Sequence, residues 1–236
     1  MKTIVRGAAY WQEAARAIGL ASREAVAGFV RGDEKRRYGP QQLPWVRSSV
    51  LRSDCVAQAL RILIGNYAPP PSTRVLESRL GVKRREWAWS HSAANVLSDF
   101  GLEVSYYTTL DTDRFLADEA PGSRLAAQHL RQAMKRGVVH NRALEFDEVR
   151  SFFQHGYHVA LVLDANRLVG REGYRGHMVV LYKIGSDAVV CNARYKATLR
   201  IPLRALMAAW TAPGTDRDAL IVDGRGLRAA AASHTK

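Results

Sequence analysis

The chain has few cysteines, few acids and no long apolar run, and each scarcity closes off a class of protein. Two cysteines in 236 residues, Cys55 and Cys191, are too few for a disulfide framework, so both are expected as thiols. No stretch of about 18 apolar residues is present, which excludes a membrane-spanning helix. The first twenty residues break any signal-like apolar core with Trp11, Gln12 and Glu13, so no secretory signal is read and cytoplasmic residence is expected. Acids number 22 against 35 Lys and Arg, a formal net charge of +13. That balance favours an acidic partner through long-range attraction without specifying one. No zinc finger, aromatic ribonucleoprotein motif or heptad repeat accompanies the charge, which argues against nucleic acid and leaves a peptide, acidic in character, as the better fit. No cofactor motif and no metal-ligand pattern is present: His155 and His158 have ligand-like spacing in HGYH but lack a nearby cysteine or acid.

Hydrophobic content of 47% and charged content of 24% are those of a globular protein that can bury a full core. Residues 1–42 read as an N-terminal extension: an amphipathic helix from about Ala8 to Arg31, then the solvated linker DEKRRYGPQQ. A single domain is expected over 43–223, and the alanine-rich stretch 224–236 reads as a tail. Within the domain, helices are expected from near Asp54 through the stripe that ends at Ile64, and at Thr73–Leu80, Ser90–Phe100, Gly122–Gly137 and Glu145–His155, with a short strand at LEVSYYTTL. HVALVLD, HMVVLYKI, AVVCN, TLRIP and ALIV then follow as β-branched apolar segments separated by short polar turns. The predicted fold class is α+β, a helical lobe packed on a mainly antiparallel sheet.

Chemistry concentrates at three residues. In SDCVAQALRILI, Val56, Ala59, Leu60, Leu63 and Ile64 recur at helix-face spacing, so Cys55 falls in the first turn with Ser53 or Asp54 as cap. Backbone amides and the helix dipole favour thiolate there and can hold an oxyanion. The plain alternative is that Cys55 is a small buried hydrophobe. Downstream, His177 opens and Asn192 closes the pair of strands in GHMVVLYKIGSDAVVCN. With a two-residue loop at Gly185 and Ser186, Ile184 pairs with Asp187, and Asn192 stands opposite Val179 as a diagonal neighbour of His177. An asparagine oxygen accepting from one ring nitrogen leaves the other to take the thiol proton. Each residue also has an ordinary role, His177 as a strand-end histidine and Asn192 as a turn residue. Asp164, ending HVALVLD, is read as a strand-terminal turn residue or an alternative acid.

At these residues the sequence resembles the papain-like cysteine peptidases, in particular the bacterial domains that cleave double-glycine leader peptides in bacteriocin exporters and their stand-alone relatives. SDCVAQAL is similar to that family's Asp-Cys-Gly helix entry, and GHMVVLYKI to its histidine strand. The resemblance spans roughly Leu43 to Trp210. It implies a papain-like fold with Cys55 as nucleophile, His177 as general base and acid, and Asn192 as orienter, acting on a peptide or amide bond through a thioester. Val56 stands where the family has glycine, Asn192-Ala193 replaces Asp-Pro, and the upstream oxyanion glutamine is absent, with Ser49 nearest its place. A lost donor of that kind costs about 3 to 4 kcal/mol of transition-state stabilisation. ARYK followed by IPLRALMAAW also resembles a segment of phytochelatin synthase, one position out of step. Hydrolysis, acyl transfer to an amine or thiol, and a catalytically silent peptide-binding module are therefore the three functions implied.

Overall fold

The structure is a computed structural model that describes residues 55–82, 88–117, 123–194 and 197–223, with the backbone alone at 123, 192–194, 197 and 198. The expected N-terminal helix, its linker, the Ser53 or Asp54 cap, Ser49 and the tail lie outside the described residues.

Helix α1 (Cys55–Gly65) carries the predicted apolar stripe and more: Cys55, Ala57 and Ile62 are buried alongside it, so eight of eleven residues are inside. A helix apolar nearly all round belongs in a core. Helix α2 (Thr73–Leu80) starts at the Ser72 cap, whose hydroxyl accepts from the Val75 N–H, and ends at Gly81 in the left-handed region. A Cβ at Gly81 would also lie 2.5 Å from Leu125, so the stop is specific to glycine. Then follow α3 (Ser90–Asp99), β1 (Glu103–Tyr107), α4 (Thr112–Ala117), α5 (Ser123–Lys135), β2 (Val139–His140), α6 (Phe146–Gln154), β3 (His158–Asp164), α7 (Ala165–Val169), β4 (Gly176–Ile184), β5 (Ala188–Arg194), β6 (Ala197–Pro202), α8 (Leu203–Trp210) and β7 (Ala219–Asp223).

The strands form one sheet in the order β2-β1-β7-β3-β4-β5-β6, antiparallel at every pairing except β1 with β2. The mainly antiparallel sheet is therefore present, in a mixed α and β fold. Alternation along the strands divides the core. Ala160, Val162, Met178, Val180, Leu220 and Val222 join α1, α2 and α3 on one face. Val159, Leu161, Leu163, Val179, Leu181 and Ile221 join residues of α6, α7 and α8 on the other. Helices thus cover both faces rather than a single one. Among the described residues, no helix is long and apolar enough to cross a membrane.

Candidate active site

Helix α1 lies on the face of Met178 and Val180, and its direction follows from its far end. Tyr67, just past that end, meets the ring of His158 edge-on at 5.2 Å, where β3 begins. An eleven-residue helix runs about 16 Å and a seven-residue strand about 20 Å, so Cys55 lies near the other end of β3, where β4 starts. His177 is the second residue of β4. Both side chains are nearly out of contact with water, Cys55 at 4% exposure and His177 at 2%.

Their positions across the sheet differ. His177 pairs with Leu163, and alternation assigns it to the parity of Val179 and Leu181, whereas Cys55 clusters with Met178 and Val180. A sulfur–imidazole contact therefore has to be made around the open end of β4, past Gly176, and not across the middle of a sheet face.

The expected register of β4 and β5 is corrected. Ile184 pairs with Val189, not Asp187, because the turn takes four residues and closes with the Gly185 N–H donating to the Ala188 carbonyl at 2.8 Å. An irregularity at Tyr182 then recovers one position, and Asn192 lands opposite Val180 instead of Val179. One step of register changes the face. The diagonal placement that tied Asn192 to His177 is lost.

Sequence reasoning overlooked the loop that leads into His177. Asp164 takes the turn role expected of it: its Oδ1 accepts from the N–H groups of Asn166 and Arg175, each at 3.0 Å, capping α7 and clamping the loop's end. Asn166 Nδ2 donates to the carbonyls of Glu172 and Gly173, and the Ala165 N–H to that of Arg175. Tyr174 projects from this stapled loop with 45% exposure. Its ring rests where a Cβ on Gly214 would come within 3.3 Å. Burial raises the phenol's pKa above its ordinary value, as do the nearby charges of Asp218, Asp216, Asp164 and Cys55.

Asp218, leading into β7, is the second residue overlooked. Tyr106 Oη donates to its Oδ1 at 2.9 Å. Burial pushes its carboxyl up to about 6, against the opposing pull of the Ser90, Thr108 and Tyr106 hydroxyls. Asp216 and Arg217, just before it, both have positive φ (50° and 48°), a conformation that side chains rarely adopt. Thr215 and Arg217 anchor the turn, the Thr215 hydroxyl donating to the Trp210 carbonyl at 2.6 Å and Arg217 Nη2 to that of Leu144 at 2.7 Å. The only sequence signal was an aspartate directly before an apolar strand.

The other described histidines lie away from Cys55 and His177 in the sequence and pack as follows. His91 is fully buried with neither ring nitrogen hydrogen-bonded, stacked on Trp89 at 5.8 Å and edge-on to Phe115 at 5.6 Å. His129 Nδ1 shares a 2.7 Å hydrogen bond with Ser92 Oγ, and His140 stacks on Tyr107. His155 Nδ1 donates to the Ser151 carbonyl at 2.7 Å. Cys191 is fully buried on the face away from Cys55, and burial pushes its thiol up to about 12. Among the described residues, no group of three or more His, Cys, Asp or Glu is placed to hold a metal ion.

The arrangement offers a nucleophile type on helix α1, a base type at the same end of the sheet, and a half-exposed phenol close by. No protein-family model matches this chain, and no curated protein resembles it at a significant level.

Proposed function

We propose that this chain is a papain-like cysteine hydrolase that opens a peptide or amide bond through a thioester on Cys55, with His177 moving the proton. The observation that carries the reading is positional: helix α1, described from Cys55 onward, brings a cysteine toward the end of the sheet at which the strand beginning Gly-His starts. In this scheme the Cys55 sulfur attacks the carbonyl carbon, and the imidazole passes the sulfur's proton to the leaving amine. Water, activated by the same imidazole, then cleaves the thioester and restores the thiol. The papain-like fold belongs to the proposal, as does a peptide partner. For Asn192 as orienter, the register removes the geometric support, and what remains is residue type and the resemblance. Nothing in the scheme requires a cofactor.

Acyl transfer differs only in the species that attacks the thioester, an amine or thiol in place of water. The strand parity of His177, opposite to that of the Cys55 cluster, favours a different second reading: a peptide-binding module without turnover. A panel of acylated dipeptide amides separates these readings by intact mass. The expected result is an acyl adduct on Cys55 that is absent in Cys55→Ala and forms 10²- to 10⁴-fold more slowly in His177→Ala, roughly the span of general acid–base assistance. Folded protein that binds the peptides yet neither carries an adduct nor releases the amine would establish the silent module.

A further inference from the structure

The thioester reading leaves one component unassigned, since the glutamine that the family resemblance places shortly before Cys55 is absent there, with Ser49 nearest its place. We propose that Tyr174 is the side-chain oxyanion donor, its hydroxyl hydrogen-bonding to the substrate carbonyl oxygen as Cys55 attacks; this inference rests on the cysteine-hydrolase reading and specifies it further.

Position is the first argument. Tyr174 lies two residues before Gly176, where β4 begins, at the sheet end to which α1 brings Cys55. Its phenol is near enough to the sulfur for charge on Cys55 to oppose its ionisation. Rigidity is the second. A useful oxyanion donor must be in place before charge develops, because reorganisation during the reaction forfeits the gain. The loop is tied to Asp164 and Asn166 by hydrogen bonds from Arg175 and to Glu172 and Gly173, each between 3.0 and 3.3 Å. On the other side, the Tyr174 ring fills the space that a side chain at Gly214 would occupy. Gly214 has φ +86°, so this close approach uses a position already suited to glycine. Accessibility is the third: at 45% exposure the residue can be reached by a ligand, whereas Tyr106 is buried. Burial and the three surrounding aspartates keep the phenol protonated, so it remains a donor throughout the working pH range.

The test compares two reactions of the same sulfur. With p-nitrophenyl acetate, a new C–S bond forms while the carbonyl electron pair moves onto oxygen. The returning pair then expels p-nitrophenolate and leaves acetyl-Cys55. With iodoacetamide, sulfur displaces iodide from a saturated carbon and no oxyanion arises. Tyr174→Phe keeps the ring against Gly214 and removes only the hydroxyl. We expect Cys55 acetylation to fall about 100-fold or more, in line with the loss of one oxyanion donor, while alkylation changes less than about twofold. Equal acetylation by wild type and Tyr174→Phe, with both dependent on Cys55, would overturn the assignment and leave the hydrolase reading standing. Wild-type acetylation no faster than that of the urea-unfolded chain would remove both. A parallel fall in both reactions would show that Tyr174 only shapes the pocket, and would likewise overturn it.

Discussion

Two buried titratable side chains, His91 in the first turn of α3 and Asp218 just before β7, affect stability in opposite directions. Burial lowers the pKa of His91 to about 4, slightly offset by the nearby Ala126 carbonyl and reinforced by His129, so the folded protein holds it neutral. Its contribution is present near neutral pH and is lost as pH falls from about 6.5 toward 4, because the unfolded chain binds the proton more readily. Asp218 behaves in reverse. With its folded pKa at about 6 and a normal value of 3.8, the folded state holds the proton longer. Stability from this group is present below about pH 4 and declines as pH rises through 6. His91→Leu should therefore raise the urea midpoint more at pH 5 than at pH 7.5, because it removes the group whose burial penalises protonation. Asp218→Asn should flatten the decline between pH 4 and 6, leaving the His91 slope exposed. Urea titrations across that range check both, and unchanged slopes would refute the assignments. Neither residue stood out in the sequence: His91 sits within SHSAAN, which reads as a polar helix start, and Asp218 within a charged turn.

At the scale of elements, the regular segments were legible because burial pattern and breakers agree. Thr73–Leu80 and His158–Asp164 fall where the sequence places them, between Pro-rich or Gly-containing turns. Helices α4 and α7 are six and five residues long, too short for periodicity to reveal, and β2 has two residues. Helix α8 was visible only as part of a family resemblance. The β4–β5 register was predicted wrongly because it depends on a backbone hydrogen bond inside the turn and an irregularity at Tyr182, neither of which has a side-chain signature. For the candidate site, this means the sequence placed Cys55 on its helix and His177 on its strand but not their relation across the sheet. Helix α7 is more than a connector, because its Asp164 cap also holds the loop bearing Tyr174. Asp164→Ala should cost about 1 kcal/mol, as lost caps do, and should speed amide hydrogen exchange at Arg175 and Asn166. Unaltered exchange there would show that the loop holds itself.

On the scale of the whole molecule, the sheet separates two apolar clusters, with one thiol in each. Cys191 is enclosed in the cluster that α6, α7 and α8 cover, where burial suppresses its ionisation. Cys55, on helix α1, belongs to the other cluster, and its charge is felt at the half-exposed Tyr174. The surplus of positive charge is a property of the full chain, while the charges that raise the Tyr174 pKa are those of Asp218, Asp216, Asp164 and Cys55. All of this turns on whether Cys55 and His177 act as a pair. The pH dependence of Cys55 alkylation by iodoacetamide, followed by mass spectrometry in wild type and His177→Ala, measures that directly. Wild-type Cys55 should reach half-maximal reactivity below about pH 7, and the variant should shift toward about 8.5, the ordinary thiol value. Coincident profiles would contradict the pairing, whatever their midpoint.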